Sequence, residues 1–436
     1  MGGSIHPRSG QRASSNAMKT YSDDTLNQIV RHFSVAEKDY GFNPLTDGFI
    51  NDTFLVVDDG RPVYILQRVN HNVFKDIAGV MNNIKRALHY LDAPDYRKIT
   101  LVATKKGKGY WKAEGQTSNG NSTDRHSAEK PLAYWRMLTY IDQSTAHNTT
   151  DEPEVAYEAG RIIGKFHQLL AHADAKDFVD TIPRFHDLKL REAQFKSALA
   201  AAEAIGKSEG DNKKASGNNE GNWSDEKTKD GKIIAKTAEA DDKGTKSSEN
   251  KNSQRLAKAA GAISFAEDTL RLLNQIDFSG LPVRICHNDT KLNNILFSKG
   301  SGKALCLIDL DTLMNGHFLY DFGDAGRTIA NTAPEDEQDH SKITFENRLF
   351  EAFVDGLSTN KAIFSSNEID TMAWGAVLMP FLHGIRALTD YLNGDIYYKV
   401  TYENQNLDRC LSLFDFTEKA LGIMEYMREV IQTKLT

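Results

Sequence analysis

At 436 residues the chain has room for two or three lobes and a sizeable core, and 40% hydrophobic with 26% charged residues describes a soluble globular protein. Its net charge of −7 argues against general nucleic-acid or anionic-membrane binding, and its most apolar window, Ala373–Leu388, is too short and too interrupted by Pro380, His383 and Arg386 to span a bilayer. The three cysteines, Cys286, Cys306 and Cys410, form neither a disulfide framework nor a CxxC zinc pair, and a reducing, cytoplasmic setting fits them best.

Residues 1–17 are rich in Ser, Gly and Arg and lack the apolar core of a secretory signal. Ser15-Asn16-Ala17 reads as the remnant of an expression tag, which would start the native chain at Met18. A helix is expected over 22–39, capped by Ser22-Asp23-Asp24, with Leu26, Ile29, Val30, Phe33 and Val35 on one face. Leu45–Val57 reads as a strand, a tight turn at Gly48 and a second strand. Asp58-Asp59-Gly60 is a hairpin turn and Val63–Val69 a third strand. A helix follows at 73–92, then strands at Ile99–Thr104 and Ala133–Ile141 around a polar loop at 113–130. A β-rich lobe is therefore expected over 18–142.

The remainder, 143–436, reads as mainly helical. Helical periodicity runs through Ala156–Leu170, 188–204 and 256–276, and again near 343–357, 367–393 and 407–433, with Asn393-Gly394-Asp395 as a break. Lys207–Arg255 is rich in Lys, Asp, Glu, Gly, Ser and Asn, with only Trp223, Ile233 and Ile234 as large apolar residues. Such a segment buries too little surface to offset its ordering entropy. A disordered charged insertion is expected over 207–255, either a docking arm or a tolerated surface loop.

The most informative stretch is Arg284–Asp324. Two short apolar strands flank a polar loop, His287-x-Asp289-x-Lys291-x-x-Asn294, and the second strand, Ala304–Ile308, ends in Asp309. Phosphoryl transfer needs a carboxylate to orient a hydroxyl and take its proton, and hard oxygen groups to hold Mg2+. Asp289 fits the base role, and Lys291 can place positive charge on the transferring phosphoryl. Asn294 and Asp309 fit as metal ligands, and Asp311 could add a second metal contact. His287 reads as a loop brace, and His167 as a core histidine. Asp321-Phe322-Gly323 spells the protein-kinase metal motif but comes too late in the chain. Asp321 and Asp324 are expected to anchor the segment that follows them.

The pattern HxDxxxxN, then IDxD, then a later GxxxxDFGD resembles the aminoglycoside phosphotransferase and choline kinase group of kinase-like phosphotransferases. Within it, Gly48–Phe54, Leu66–Phe74, His287–Lys291 and Leu388–Asp395 look most similar to the N-acetylhexosamine 1-kinase branch. The resemblance covers residues 40–415 outside the insertion. It implies an α+β, bilobal protein-kinase-like fold, with a small β-rich N-lobe that binds ATP and a larger, mainly helical C-lobe. It also implies Mg2+-dependent phosphorylation of the anomeric O1 hydroxyl of GlcNAc or GalNAc. Phosphates would be met near Gly48, Asn51 and Thr53, and by Arg68 in place of the protein-kinase lysine; the helix at 73–92 offers Arg68 no glutamate. Met137 and Thr139 would line the adenine site or be plain strand core. Asp289, Arg386, Asp390 and Tyr397 are the expected sugar contacts, with an internal Arg386–Asp390 ion pair as the alternative. Two rival readings stay open: a kinase of choline, ethanolamine, homoserine or an aminoglycoside, and an inactive nucleotide-binding scaffold. Neither nucleic acid nor membrane is expected as a partner.

Overall fold

The computed structural model describes residues 21–45, 50–113, 133–215 and 242–436, with side chains except at 205–215 and 242–252. The chain divides into two units. The first runs to His89 and resumes over Lys98–Gln143; the second comprises Tyr90–Arg97 and Ser144–Thr436.

The first unit is an antiparallel sheet of five strands, β1 (Gly41–Leu45), β2 (Asp52–Asp58), β3 (Arg61–Val69), β4 (Trp111–Ala113) and β5 (Ala133–Thr139), in the order β1-β2-β3-β5-β4. Phe54, Val56, Leu66, Trp135 and Met137 alternate onto one face and close against Leu26, Ile29, Val30 and Phe33. Helix α1 (Asp23–Val30) starts where expected, with Ser22 Oγ accepting from the Thr25 amide. It stops at Val30, well short of 39, because Ser34 N donates to Ala103 O and Lys105 N to His32 O. The same pairing reduces the strand expected at 99–104 to isolated bridges, Phe33 with Thr104 and Leu101 with Leu138. Helix α2 (Ile77–Tyr90) follows β3.

The second unit carries helices α3 (Pro153–Leu170), α4 (Leu188–Ala215), α5 (Asp242–Leu273), α6 (Phe318–Ile329), α7 (Asn347–Ser358), α8 (Ser366–Leu392), α9 (Gln405–Gly422) and α10 (Met424–Leu435). Five short strands sit among them: β6 (Ser144–Thr145), β7 (Arg284–Cys286), β8 (Ile295–Ser298), β9 (Ala304–Leu307) and β10 (Met314–Gly316). The two strands read in the central stretch are not partners. β7 pairs with β10, while β9 pairs with β8, so the loop 287–294 joins two separate ribbons. The helix expected at 407–433 is two, divided at Ile423 just after Gly422.

The segment read as disordered over 207–255 is helical at both edges, since α4 runs to Ala215 and α5 begins at Asp242. Arg255 is moreover buried, at 7% exposed, because it finds acidic and carbonyl partners on α8 and the turn after it. Residues 216–241 lie outside the described residues.

Two helix crossings rely on glycine. A Cβ on Gly160 of α3 would overlap the Phe353 carbonyl of α7, and one on Gly323 of α6 would overlap the Gly375 carbonyl of α8. Gly323→Ala is expected to destabilise the fold by about 3 kcal/mol in urea unfolding, since backbone rather than a flexible side chain must move. Gly326→Ala, whose added methyl would meet nothing within 4 Å, serves as the control and should be neutral or slightly stabilising.

Candidate active site

The site grows from the end of β7. His287 and Asn288 leave the strand with Asn288 at φ 61°, a left-handed conformation that costs a non-glycine residue energy. Three clamps hold it there. The Asn288 side-chain amide donates to the carbonyls of Cys286, Thr312 and Met314 at 3.2, 3.1 and 3.4 Å. His287 Nε2 bonds Ile308 O at 2.8 Å. The buried Asp321 carboxylate on α6 accepts the His287 amide at 2.8 Å and the Asn288 amide at 2.7 Å.

His167 on α3 completes the brace, with Nε2 at 2.9 Å from Asp321 Oδ2. A ring nitrogen of His167, the Cys286 thiol and an Asp321 oxygen lie within 4.8 Å of one another. They read as a brace rather than a metal centre. Both Asp321 oxygens already accept N–H groups, and burial pushes the Cys286 thiol well up, which keeps it protonated. Asp321 therefore anchors the loop before it, not the segment after it as expected.

Asp289 is half-buried at the loop tip. Its Oδ2 accepts from Lys291 Nζ at 2.9 Å and Asn294 Nδ2 at 2.8 Å, and its backbone carbonyl accepts the same Asn294 amide at 2.8 Å. Its Oδ1 receives no hydrogen bond among the described residues. Burial alone would discharge Lys291, but the carboxylates of Asp289 and Asp309 outweigh it and raise its pKa. Lys291 is thus held as a cation beside the base.

Asn294 turns its nitrogen toward Asp289, which leaves its oxygen as the donor atom for a hard cation. Ile308 N donates to Asn294 O at 2.8 Å, so Asn294 and Asp309 come together at one end of the β8–β9 ribbon. Asp309 is exposed and sits at φ 59°, another left-handed non-glycine residue beside the loop. A carboxylate and an amide oxygen there fit the hard-oxygen preference of Mg2+. Asp311 is buried in the short turn that follows, as Asn294 is at its own position.

A tract of polar residues continues from Lys291; of it the sequence reading singled out Asp324, as an anchor, and missed Arg327, Glu335 and His186. One turn beyond Asp321 on α6, Asp324 pairs with Arg327 at 2.8 Å and lies 3.4 Å from His383 Nε2 of α8. Burial disfavours its charge, yet Arg327 and His383 together hold its pKa far below the usual carboxylate range. Its Oδ2 is buried without a hydrogen-bond partner. Arg327 also pairs with the part-exposed Glu335 and, against a desolvation penalty, is the main influence that lowers its pKa to about 2. Burial, with the neighbouring His383, pushes His186 down to about 3; this neutral ring bonds the Asn288 carbonyl at 3.1 Å. The i, i+3, i+6 spacing of Asp321, Asp324 and Arg327 was the available signal, since it puts all three on one helical face.

Arg386 lies beyond His383 on α8. Its guanidinium stands 5.3 Å from the Phe185 ring and 6.0 Å from the Tyr397 ring, and it pairs with no carboxylate among the described residues. Arg191 donates to the Phe185 carbonyl at 2.6 Å, and its Nε is buried without a partner among the described residues. Arg386 and Tyr397 are therefore brought together.

Asp390 is not available to a ligand in the way expected. Its Oδ1 accepts the amides of Ile396 and Tyr397, and its Oδ2 the Tyr398 amide and the Asn406 side chain, at 2.8 to 3.0 Å. It fixes the turn that carries Tyr397, and it forms no ion pair with Arg386 either. A cavity of about 560 Å³ lies on the Asn288 side of the loop, walled by Phe185, His186, Phe278 and Tyr320. Asp289, Arg386 and Tyr397 do not line it, so it is separate from these side chains.

In the first unit, Gly48 lies outside the described residues. Asn51 Oδ1 caps the Asn70 amide at 3.0 Å, and the Thr53 hydroxyl accepts from Gln67 at 3.2 Å. Arg68 pairs with Asp52, its cross-strand neighbour on β2, at 3.0 Å, while Asp76 instead caps the Gly79 amide. Met137 is fully buried and its carbonyl accepts the Val102 amide; the Thr139 amide donates to Thr100 O. Both β5 residues pair with β3 on one side and bond the irregular segment 100–102 on the other.

The family model described as the phosphotransferase enzyme family matches residues 41–353. Among solved structures, the chain is similar to an aminoglycoside phosphotransferase from Alicyclobacillus acidocaldarius subsp. acidocaldarius at 13% identity, covering 97% of this chain and 100% of that one, with a TM-score of 0.49. It is similar to the Plasmodium vivax ethanolamine kinase at 13% identity, covering 95% and 93%, with a TM-score of 0.47. A spectinomycin phosphotransferase in complex with ADP and spectinomycin is 12% identical over 94% and 99%, with a TM-score of 0.48. At such identities these likenesses concern the fold alone.

Proposed function

We propose that the chain, which belongs to the phosphotransferase enzyme family, transfers the γ-phosphoryl group of ATP to the anomeric O1 hydroxyl of an N-acetylhexosamine, GlcNAc or GalNAc. The observation that carries the transfer is the division of labour at Asp289. One oxygen is pinned by Lys291 and Asn294, and the other is left to accept a hydroxyl proton. The acceptor O–H would donate to Asp289 Oδ1. As the new O–P bond forms, the O–H bond breaks, the proton passes to that oxygen, and ADP leaves with the electrons of the broken P–O bond. An anomeric hydroxyl is more acidic than an ordinary alcohol, so a carboxylate base suffices. Lys291 faces the charge that builds on the phosphoryl oxygens. Mg2+, held by Asn294 Oδ1 and Asp309, would neutralise phosphate charge.

Arg68, together with Asn51, Thr53 and Gly48, remains the phosphate-contacting set of this reading. To reach phosphate, Arg68 must exchange Asp52 for the nucleotide. Asp311 stays the second metal contact of this reading, while Asp390 drops out of the acceptor set, leaving Arg386, Tyr397 and Asp289 as sugar contacts. The argument for a neutral sugar over choline or ethanolamine is charge. Arg386 and Arg191 both contact Phe185, and Arg386 has no carboxylate partner among the described residues, which disfavours a cationic acceptor.

An ATP-consumption screen across GlcNAc, GalNAc, glucose, choline and kanamycin tests the reading. Turnover with GlcNAc or GalNAc, and a 1-phosphate product by phosphorus NMR, is expected. Turnover with choline or kanamycin alone would move the acceptor to the amino alcohols. Nucleotide binding without any turnover would favour an inactive scaffold.

A further inference from the structure

We propose that Arg255 on α5, at the far edge of the charged segment, is a positioning residue for the acceptor, because it clamps the turn that carries Tyr397. The proposal rests on the reading above that Tyr397 meets the acceptor.

Arg255 makes a set of contacts unusual for a residue flanking such a polar segment. Its Nε and Nη2 donate to the Tyr391 carbonyl at 3.1 and 2.7 Å, and Nη2 also reaches Asp395 Oδ2 at 2.6 Å. Its guanidinium carbon lies 3.8 Å from the Tyr391 ring centroid. The Tyr391 carbonyl belongs to the last turn of α8, where it also accepts the Gly394 amide at 3.0 Å and where a cation is favoured by the helix dipole. Asp395, the second partner, sits at φ 62°, outside the comfortable region for a side-chain-bearing residue. Its other oxygen accepts from Asn406 at 2.8 Å.

The next three amides, Ile396 to Tyr398, all go to Asp390. Apolar burial contributes little to holding this turn, since Ile396 is 79% and Tyr397 63% exposed. Its conformation therefore depends on polar contacts. Asp390 holds the amides from α8, its own carbonyl accepts the Asp395 amide at 2.9 Å, Asn406 bridges Asp390 and Asp395, and Arg255 alone holds the entry at Asp395 from α5. Without the guanidinium, the Asp395 carboxylate and the Tyr391 carbonyl lose a common donor, and the strained residue has less reason to stay left-handed. Tyr397 then moves away from Arg386. Arg255 touches neither Asp289 nor Lys291, so the chemical step should not feel its loss.

The test uses the full chain with Arg255→Ala, Arg255→Lys and, as a control on an exposed face of the same helix, Lys258→Ala. Arg255→Ala should raise KM for the sugar about tenfold while kcat and KM for ATP stay within about twofold. Arg255→Lys should fall between, because an ammonium cannot fork between Tyr391 and Asp395. Amide hydrogen exchange should accelerate about tenfold at 396–398 and stay unchanged at 287–294. A folded Arg255→Ala variant with unchanged sugar KM and unchanged exchange overturns the proposal. So does a parallel loss in kcat and both KM values with faster exchange throughout, which would mark general fold support. If the wild-type protein accepts no sugar, the acceptor reading falls by itself. Exchange at 396–398 then decides the clamp, acceleration supporting it and no change overturning it.

Discussion

Asp289→Asn is expected to leave a folded protein whose turnover drops at least about 10²-fold, with little change in KM for ATP. The carboxamide has the same shape. Its oxygen can keep the bonds from Lys291 and Asn294, which both converge on one carboxylate oxygen. Its nitrogen then occupies the Oδ1 position, where the acceptor proton must go, and a carboxamide nitrogen donates instead of accepting. The substitution thus removes the proton acceptor and turns it into a donor facing another donor. Folding should survive, because Asp289 is half-exposed and lies outside the Asp321 brace that shapes the loop. ADP release measured alongside a thermal melt separates the two effects. Full activity in a folded variant would mean that Asp289 is not the base.

What was legible in the chain follows the distance over which each interaction acts. The candidate catalytic residues were readable as a group because they are local in the chain. Asp289, Lys291 and Asn294 lie within six residues, and the structure brings their side chains into direct contact, which the sequence did not specify. The β2–β3 hairpin was likewise readable from Asp58-Asp59-Gly60, since Asp59 and Gly60 both adopt positive φ. Asp390 shows the limit. Its spacing from Arg386 on one helix suggested a shared ligand or an ion pair, but amides six to eight residues downstream outcompete both. Arg68 shows it again, for its partner Asp52 becomes a neighbour only through strand register. Arg255 shows it most sharply. Composition averaged over a polar segment hides the single residue whose partners lie 136 and 140 positions away.

The last two residues of the strand-to-loop transition depend on Asp321, which makes Asp321→Asn the second large effect. Asp321 is fully buried and gathers donors from three places: the His287 and Asn288 amides, at 34 and 33 residues' separation, and the His167 ring, at 154. Its backbone carbonyl also accepts the Thr290 hydroxyl at 2.6 Å. A carboxamide offers one acceptor and one donor where the loop presents only donors. Whichever way it turns, an N–H of the loop or the His167 ring faces an NH2 in a site closed to water. Leaving such a group unsatisfied costs roughly 1–3 kcal/mol. Asn288 loses part of what holds it at positive φ, so Asp289 should drift from its pinned position. Displacements of about 1 Å at a reacting group can cost on the order of 10²-fold in rate. A kcat loss of about that size is therefore expected, together with a lower unfolding midpoint and faster exchange at 287–290. KM for ATP should stay near wild type. This pattern differs from Asp289→Asn, which should lose rate without losing stability. If Asp321→Asn instead keeps wild-type kcat, the loop is positioned by its other bonds, to Thr312, Met314 and Ile308, and the brace is dispensable for catalysis.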